Sequence, residues 1–227
     1  MSETAVPELA SLEGRASVRS RVLQSLRGAL VAGQMVPGQV YSAPVLAKQL
    51  GVSPTPVREA MLELAKEGLV LPVPNKGFRV RELSDRELDE ITAVRLLLEV
   101  PATVAVLDVL TPADLRTLRP LAEAIISSAA AKDLVGYVEH DREFHLALLA
   151  LGGNAQLVQL VGELRARSRL YGLAQLAERG ELVASAHEHL DILDLLEAGD
   201  ADGLRALISR HIGHVRGSWA GRPESSA

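Results

Sequence analysis

Asp141 and His145 stand four residues apart in a segment of helical pattern, so their side chains share one face. His189 and His211 lie on two later helical segments. Three imidazoles and a carboxylate suit Zn²⁺-, Ni²⁺- or Mn²⁺-type ions and leave positions for water or an organic ligand. By spacing alone the signal is weak, because a His and an Asp on a helix are usually surface residues. His140 should point away from the Asp141 face. His214, three residues after His211, shares a similar face as a spare ligand or a neighbour. Arg95 sits among Ile91, Val94, Leu96, Leu97 and Leu98, where an arginine either pairs with a carboxylate or snorkels. Glu99, four residues on, is its natural helical partner.

A second kind of chemistry is written in the charge. The chain of 227 residues carries 24 basic and 29 acidic residues, a formal net charge of −5. Between Arg15 and Arg81 there are ten basic residues against three acidic, a net +7, so the remainder carries 14 against 26, a net −12. A basic N-terminal module on an acidic body points to a nucleic-acid reader with an attached second function. The chain has no cysteine, which excludes disulfides, Fe–S clusters, thiol nucleophiles and Cys-type zinc fingers. No apolar stretch approaches the ~20 residues of a membrane span. The polar, acidic segment 1–14 is not a signal peptide, and a cytoplasmic location is expected.

The elements that must position these groups follow from periodicity and punctuation. Val18, Val22, Leu26, Ala29 and Leu30 predict a helix stopped at Gly33. A turn at Val36-Pro37-Gly38-Gln39 leads to a short helix, Ala43 to Leu50, closed by Gly51. Ser53 offers an N-cap and Pro54 a first helical position for a helix to about Glu67. Its apolar stripe is Val57, Met61, Leu64 and Ala65. Two short β-prone runs, Leu69 to Val73 and Phe78 to Val80, flank a turn at Pro74–Gly77 and predict a hairpin; Pro72 confines the first run to a sheet edge. Helix, helix, turn, helix, hairpin is the plan of a winged helix-turn-helix. Beyond Arg81 no strand pattern appears. A capping box at Ser84 and Glu87 starts a helix to about Leu107, kinked at Pro101. Further helices are predicted from Thr111-Pro112, over Lys132 to Ala150, Ala155 to Gln175, Glu181 to Ala198, and from an Asp200 or Asp202 cap to Val215. The fold class is mainly α: a winged helix-turn-helix over 15–81 and an all-α bundle of six or so helices over 82–217. A disordered tail at 1–14 and a frayed one at 218–227 complete the division.

These residues resemble a known family. Val36-Pro37-Gly38-Gln39, Leu46-Ala47, Leu50-Gly51-Val52-Ser53, Thr55-Pro56-Val57-Arg58-Glu59-Ala60, Glu67-Gly68-Leu69-Val70 and Pro74-Asn75-Lys76-Gly77-Phe78-Arg79-Val80 are similar to the DNA-binding domain of GntR-family transcription regulators. The remainder resembles the all-helical (FCD-type) ligand-sensing domain of the FadR-like branch. That likeness rests on Val94-Arg95 with Glu99, Asp141-Arg142-Glu143-Phe144-His145, Gly153-Asn154, Glu188-His189, Gly199-Asp200 and His211.

The resemblance implies that Ser53, Thr55 and Arg58 face the major groove and that Lys76 and Gly77 form the wing tip. The two hydroxyls suit phosphate oxygens, and Arg58 suits guanine O6 and N7. Three and four residues beyond Arg58 stand Met61 and Leu62, so its own helix offers it no ion-pair partner. Where the family usually has a second arginine after the Ser53 position, this chain has Pro54, which cannot donate a hydrogen bond. The resemblance further implies a divalent metal on Asp141, His145, His189 and His211, and a small carboxylate effector held by Arg95. The implied partners are a double-stranded DNA operator and a second copy in a homodimer, with no membrane. The expected function is a ligand-modulated, non-enzymatic transcription regulator. A metal-dependent hydrolase and a pure metal-sensing regulator are the alternatives.

Overall fold

The structure, a computed structural model, describes residues 17–168 and 173–214. The expected tails at 1–14 and 218–227, and the ends of the bundle at Val215 and 217, lie outside the described residues.

Helix α1 (Val18–Val31) is capped by Ser17, whose hydroxyl accepts from the Ser20 N–H. A two-residue strand β1 (Val40–Tyr41) and helix α2 (Ala43–Leu50) follow, and α2 stops at Gly51 in the left-handed region. Helix α3 (Pro54–Lys66) starts with proline at its first position, as the sequence predicts. Val57, Ala60, Met61 and Leu64 lie on one side of α3 and are completely buried. Strands β2 (Val70–Val73) and β3 (Gly77–Val80) pair antiparallel, with Val70 opposite Val80 and Pro72 opposite Phe78. The sheet order is β1-β3-β2, so Pro72 does sit on an edge strand. The sequence reading missed β1. Two residues are too short for a periodicity, and β1 exists because Tyr41 pairs with Phe78. These elements share one core, from Val22 to Val80.

Seven helices follow among the described residues: α4 (Asp85–Ala105), α5 (Pro112–Ala130), α6 (Leu134–Ala150), α7 (Ala155–Ser168), α8 (Leu173–Glu178), α9 (Leu182–Ala198) and α10 (Ala201–Gly213). Both halves of the Ser84–Glu87 capping box are made, and Thr111 forms a second box with Asp114. α4 is helical on both sides of Pro101 and ends in a 3₁₀ turn, Val106–Asp108. The helix expected over Ala155 to Gln175 is described as α7 to Ser168 and α8 from Leu173, with 169–172 outside the described residues. Of the two candidate caps for the last helix, Asp200 does the work, accepting from the Gly203 N–H. A second core runs through the bundle, centred on Leu118, Ile125, Tyr137, Phe144, Leu148, Ile192 and Leu193. Val31, at the end of α1, is counted in this second core, so the two halves are packed together.

Candidate metal centre and DNA-facing helix

Helix α6 supplies Asp141 and His145, α9 supplies His189 and α10 supplies His211. The four side chains meet in the bundle interior, each at most 4% exposed, with their ligand atoms all within 4.8 Å of one another. His145 Nε2 lies 3.1 Å from both His189 Nε2 and His211 Nε2, and His189 Nε2 lies 3.1 Å from Asp141 Oδ1. Ligand atoms around one metal with ~2.1 Å bonds are separated by about 3.0–3.4 Å; the three 3.1 Å spacings fit a shared ion, and His145 Nε2 to Asp141 Oδ1, at 3.8 Å, would need a small adjustment.

The tautomers make the point sharper. His189 Nδ1 is 2.9 Å from the Ala186 carbonyl, and His211 Nδ1 is 2.8 Å from Glu188 Oε2. A carbonyl or a carboxylate only accepts, so both Nδ1 atoms carry the hydrogen. In the neutral rings both Nε2 atoms then present lone pairs to His145 Nε2, and that of His189 also faces the Asp141 oxygen. A single proton on His145 Nε2 cannot satisfy all of these contacts; a cation at their centre can. Burial, then the nearby Arg165 guanidinium, pushes His145 well below the ordinary histidine range, which favours the neutral ring a metal needs.

Behind the cluster lies a buried chain of charge. Arg165 on α7 donates NH2 to Asp141 Oδ2 at 3.0 Å and NH1 to Glu99 Oε2. Arg95 donates Nε to Glu99 Oε1 at 2.6 Å and NH1 to Ser168 Oγ at 3.4 Å. Arg95, Glu99, Arg165 and Asp141 are all no more than 2% exposed. Burial opposes the charged form of Glu99, but Arg165 and Arg95 outweigh it and hold the carboxyl below its usual range. Arg95 thus takes the helical partner that its spacing offers. The sequence reading missed Arg165, although it falls four residues after buried Val161 and three before buried Ser168, on the apolar stripe of its helix. It also gave Glu188 no role. Glu188 accepts from His211, from His214 Nε2 at 3.1 Å and from Arg210 Nε at 3.3 Å, so His214 supports His211 through Glu188.

At the other end of the molecule, Ser53, Thr55 and Arg58 are exposed at the start of α3, and Ser53 makes no side-chain capping bond. Glu63, the acid nearest in register to Arg58 on that helix, is taken by Arg19 and Lys66. The basic surplus divides accordingly. Arg19, Arg27, Lys66 and Arg81 are ion-paired. Arg21, Lys48, Arg58, Lys76 and Arg79 are exposed and make no ion pair among the described residues. Lys76 stands in the turn between β2 and β3 beside Asn75, which has a φ of 57°.

Gly77, at the wing tip, also answers a need inside the protein. A Cβ there would stand 2.2 Å from the Tyr41 carbonyl oxygen, at a φ of 132°. The glycine is demanded by the close approach of β1 to β3 within the protein.

Both halves of the chain match known protein families. Residues 18–80 match the family described as bacterial regulatory proteins, gntR family, and residues 90–214 match the FCD domain. The HTH-type transcriptional regulator McbR of Escherichia coli is 31% identical over 83% of this chain and 86% of its own. A probable D-xylose utilization operon transcriptional repressor of Paenarthrobacter nicotinovorans is 29% identical over 87% of both chains. The solved structure of E. coli McbR/YncC superposes with a TM-score of 0.68 over 86% of this chain and 93% of that one. These relatives are named as regulators, which removes the hydrolase alternative. No described helix is long and apolar enough to cross a membrane. The chain is therefore a transcription regulator of the gntR family, a GntR DNA-binding domain joined to an all-helical FCD domain.

Proposed function

We propose that this regulator binds its operator as a homodimer and that a small carboxylate, bound at a divalent ion on Asp141, His145, His189 and His211, sets its affinity for DNA. The observation that carries this reading is the convergence of three imidazole Nε2 atoms and a carboxylate oxygen whose tautomers leave lone pairs facing inward. Charge bookkeeping supports an anionic effector. Arg95 and Arg165 cancel Glu99 and Asp141, and Arg210 offsets Glu188, so a bound dication leaves the centre cationic. Four protein ligands leave up to two positions on a six-coordinate ion for a carboxylate. Arg95 is joined to Asp141 by three successive contacts, through Glu99 and Arg165, and would reach the effector by exchanging partners. Ser53, Thr55 and Arg58 would enter the major groove, with Lys76 on phosphate and Gly77 shaping the wing that carries it. Val94 and Leu97, on one side of α4, are 41% and 74% exposed, an apolar stripe that a second copy would cover.

The test is operator titration of the full chain, stripped and Zn²⁺-loaded, against a panel of small mono-, di- and tricarboxylates. The expected result is a carboxylate that shifts operator affinity only in the loaded protein. A carboxylate equally effective on stripped protein would contradict the role of the metal. A full response to the ion alone would establish the metal-sensing reading, which the near-complete burial of the ligands favours.

A further inference from the structure

The last turn of α7 touches both halves of the protein. On one side, Arg165 holds Asp141 Oδ2, whose other oxygen faces His189, and Ser168 takes a hydrogen bond from Arg95. On the other side, Ala166 packs against the hydrophobic core of the DNA-binding domain. The stem of Arg167 lies over Gly68, the residue that ends the recognition-helix segment. A Cβ built there would stand 3.3 Å from Arg167 Cγ and 3.8 Å from Arg81 NH1. Four consecutive residues therefore span the distance from the donor cluster to the end of α3. Helix α6 repeats the arrangement. It carries Asp141 and His145, and its earlier turns meet α1, with Glu139 4.0 Å from Arg27 and Val135 against Gly28.

We infer that the Arg165–Arg167 turn of α7 is the strut through which occupancy of the donor cluster sets the position of the DNA-binding domain. This rests on the metal reading proposed above and adds its route. The physical basis is that interior packing is close and transmits displacement. Arg165 bonds two carboxylates with one rigid planar fork. A metal that draws Asp141 Oδ1 toward itself moves Asp141 Oδ2, and with it Arg165 and the turn. Ala166 and Arg167 sit on the DNA-binding domain and must follow or lose their packing. Coupling of this kind is reciprocal: if metal changes operator affinity by some factor, operator changes metal affinity by the same factor.

The experiment uses the full chain, Zn²⁺ alone as ligand, and a duplex enriched by the protein from a random pool. Zn²⁺ dissociation constants are measured for the free protein and for the protein–DNA complex. In the unsubstituted chain the two constants are expected to differ by about fivefold or more. Ala166→Glu places a wedge at the domain contact and keeps a good helix former. It should leave the Zn²⁺ affinity of the free protein within about twofold while collapsing the ratio toward one. Arg167→Ala, a gentler change at a residue outside both hydrophobic cores, should reduce the ratio in the same direction. An undiminished ratio in both variants overturns the strut. Equal Zn²⁺ constants with and without DNA in the unsubstituted chain also overturn it. Absence of stoichiometric Zn²⁺ binding to the free chain is a different failure, that of the metal site itself.

Discussion

Arg58 and Lys76 are both exposed cations without an acidic partner among the described residues, yet they should fail differently when removed. On the proposed docking, Arg58→Ala would remove base readout and should cost about 1–3 kcal/mol of operator binding while nonspecific binding changes far less. On the same docking, Lys76→Ala would remove a phosphate contact and should weaken both about equally, lowering the slope of log affinity against log salt by about one. Fluorescence anisotropy on operator and scrambled duplexes across a salt series separates the two; an unchanged operator preference in Arg58→Ala would place the reading helix elsewhere. Gly77→Ala should act on folding, because the new Cβ meets the Tyr41 carbonyl and the φ of 132° is unfavourable to any side chain. We expect a loss of more than about 1 kcal/mol in chemical denaturation of the full chain. Full stability with weakened DNA binding would instead make Gly77 a residue that matters only at the DNA. The four donor residues were named from the sequence, but only through resemblance; spacing fixed no more than the shared face of Asp141 and His145. Arg165 escaped notice because its partners, Glu99 and Asp141, are 66 and 24 residues away in the chain. No local pattern announces such a pairing.

At the scale of elements, legibility followed the punctuation. Ala43–Leu50, the proline start of α3, the Ser84 and Thr111 boxes and the Asp200 cap were all written in local side-chain chemistry, and each is present. What was not local was not readable: β1 depends on a partner strand nearly forty residues on. The Ser84–Glu87 box also makes a prediction with a definite sign. Hydrogen bonds from the Ser84 backbone N–H, then its hydroxyl, hold the Glu87 carboxyl below its ordinary value of 4.5. A carboxyl held low in the folded state contributes stability that is complete above about pH 4.5 and is lost as pH falls through the lowered value. Glu87→Gln should therefore be less stable than the parent near neutral pH, with the difference shrinking toward pH 3. Ser84→Ala should cost about 1 kcal/mol at neutral pH by loss of the cap. Urea denaturation at a series of pH values checks both, and a Glu87→Gln difference that grows on acidification would contradict the assignment.

For the whole molecule, two cores joined through α1, α6 and α7 make the donor cluster part of the same packed body as the reading helix. Division into a basic reader and an acidic sensor was visible in the charge distribution, whereas the contacts that join them were not, because they form between residues of unremarkable local context such as Gly28, Gly68 and Ala166. A divalent ion held by α6, α9 and α10 would pin the bundle together. Scanning calorimetry of the full chain, as purified, after chelation and after readdition of Zn²⁺, tests it most directly, with His189→Ala as control. Binding only to the folded state adds about 2.7 kcal/mol at a hundredfold excess over the dissociation constant. Chelation should lower the melting temperature by several degrees, Zn²⁺ should restore it, and His189→Ala should respond to neither. A folded protein without stoichiometric metal, whose melting temperature ignores chelator and added ion alike, would contradict the account.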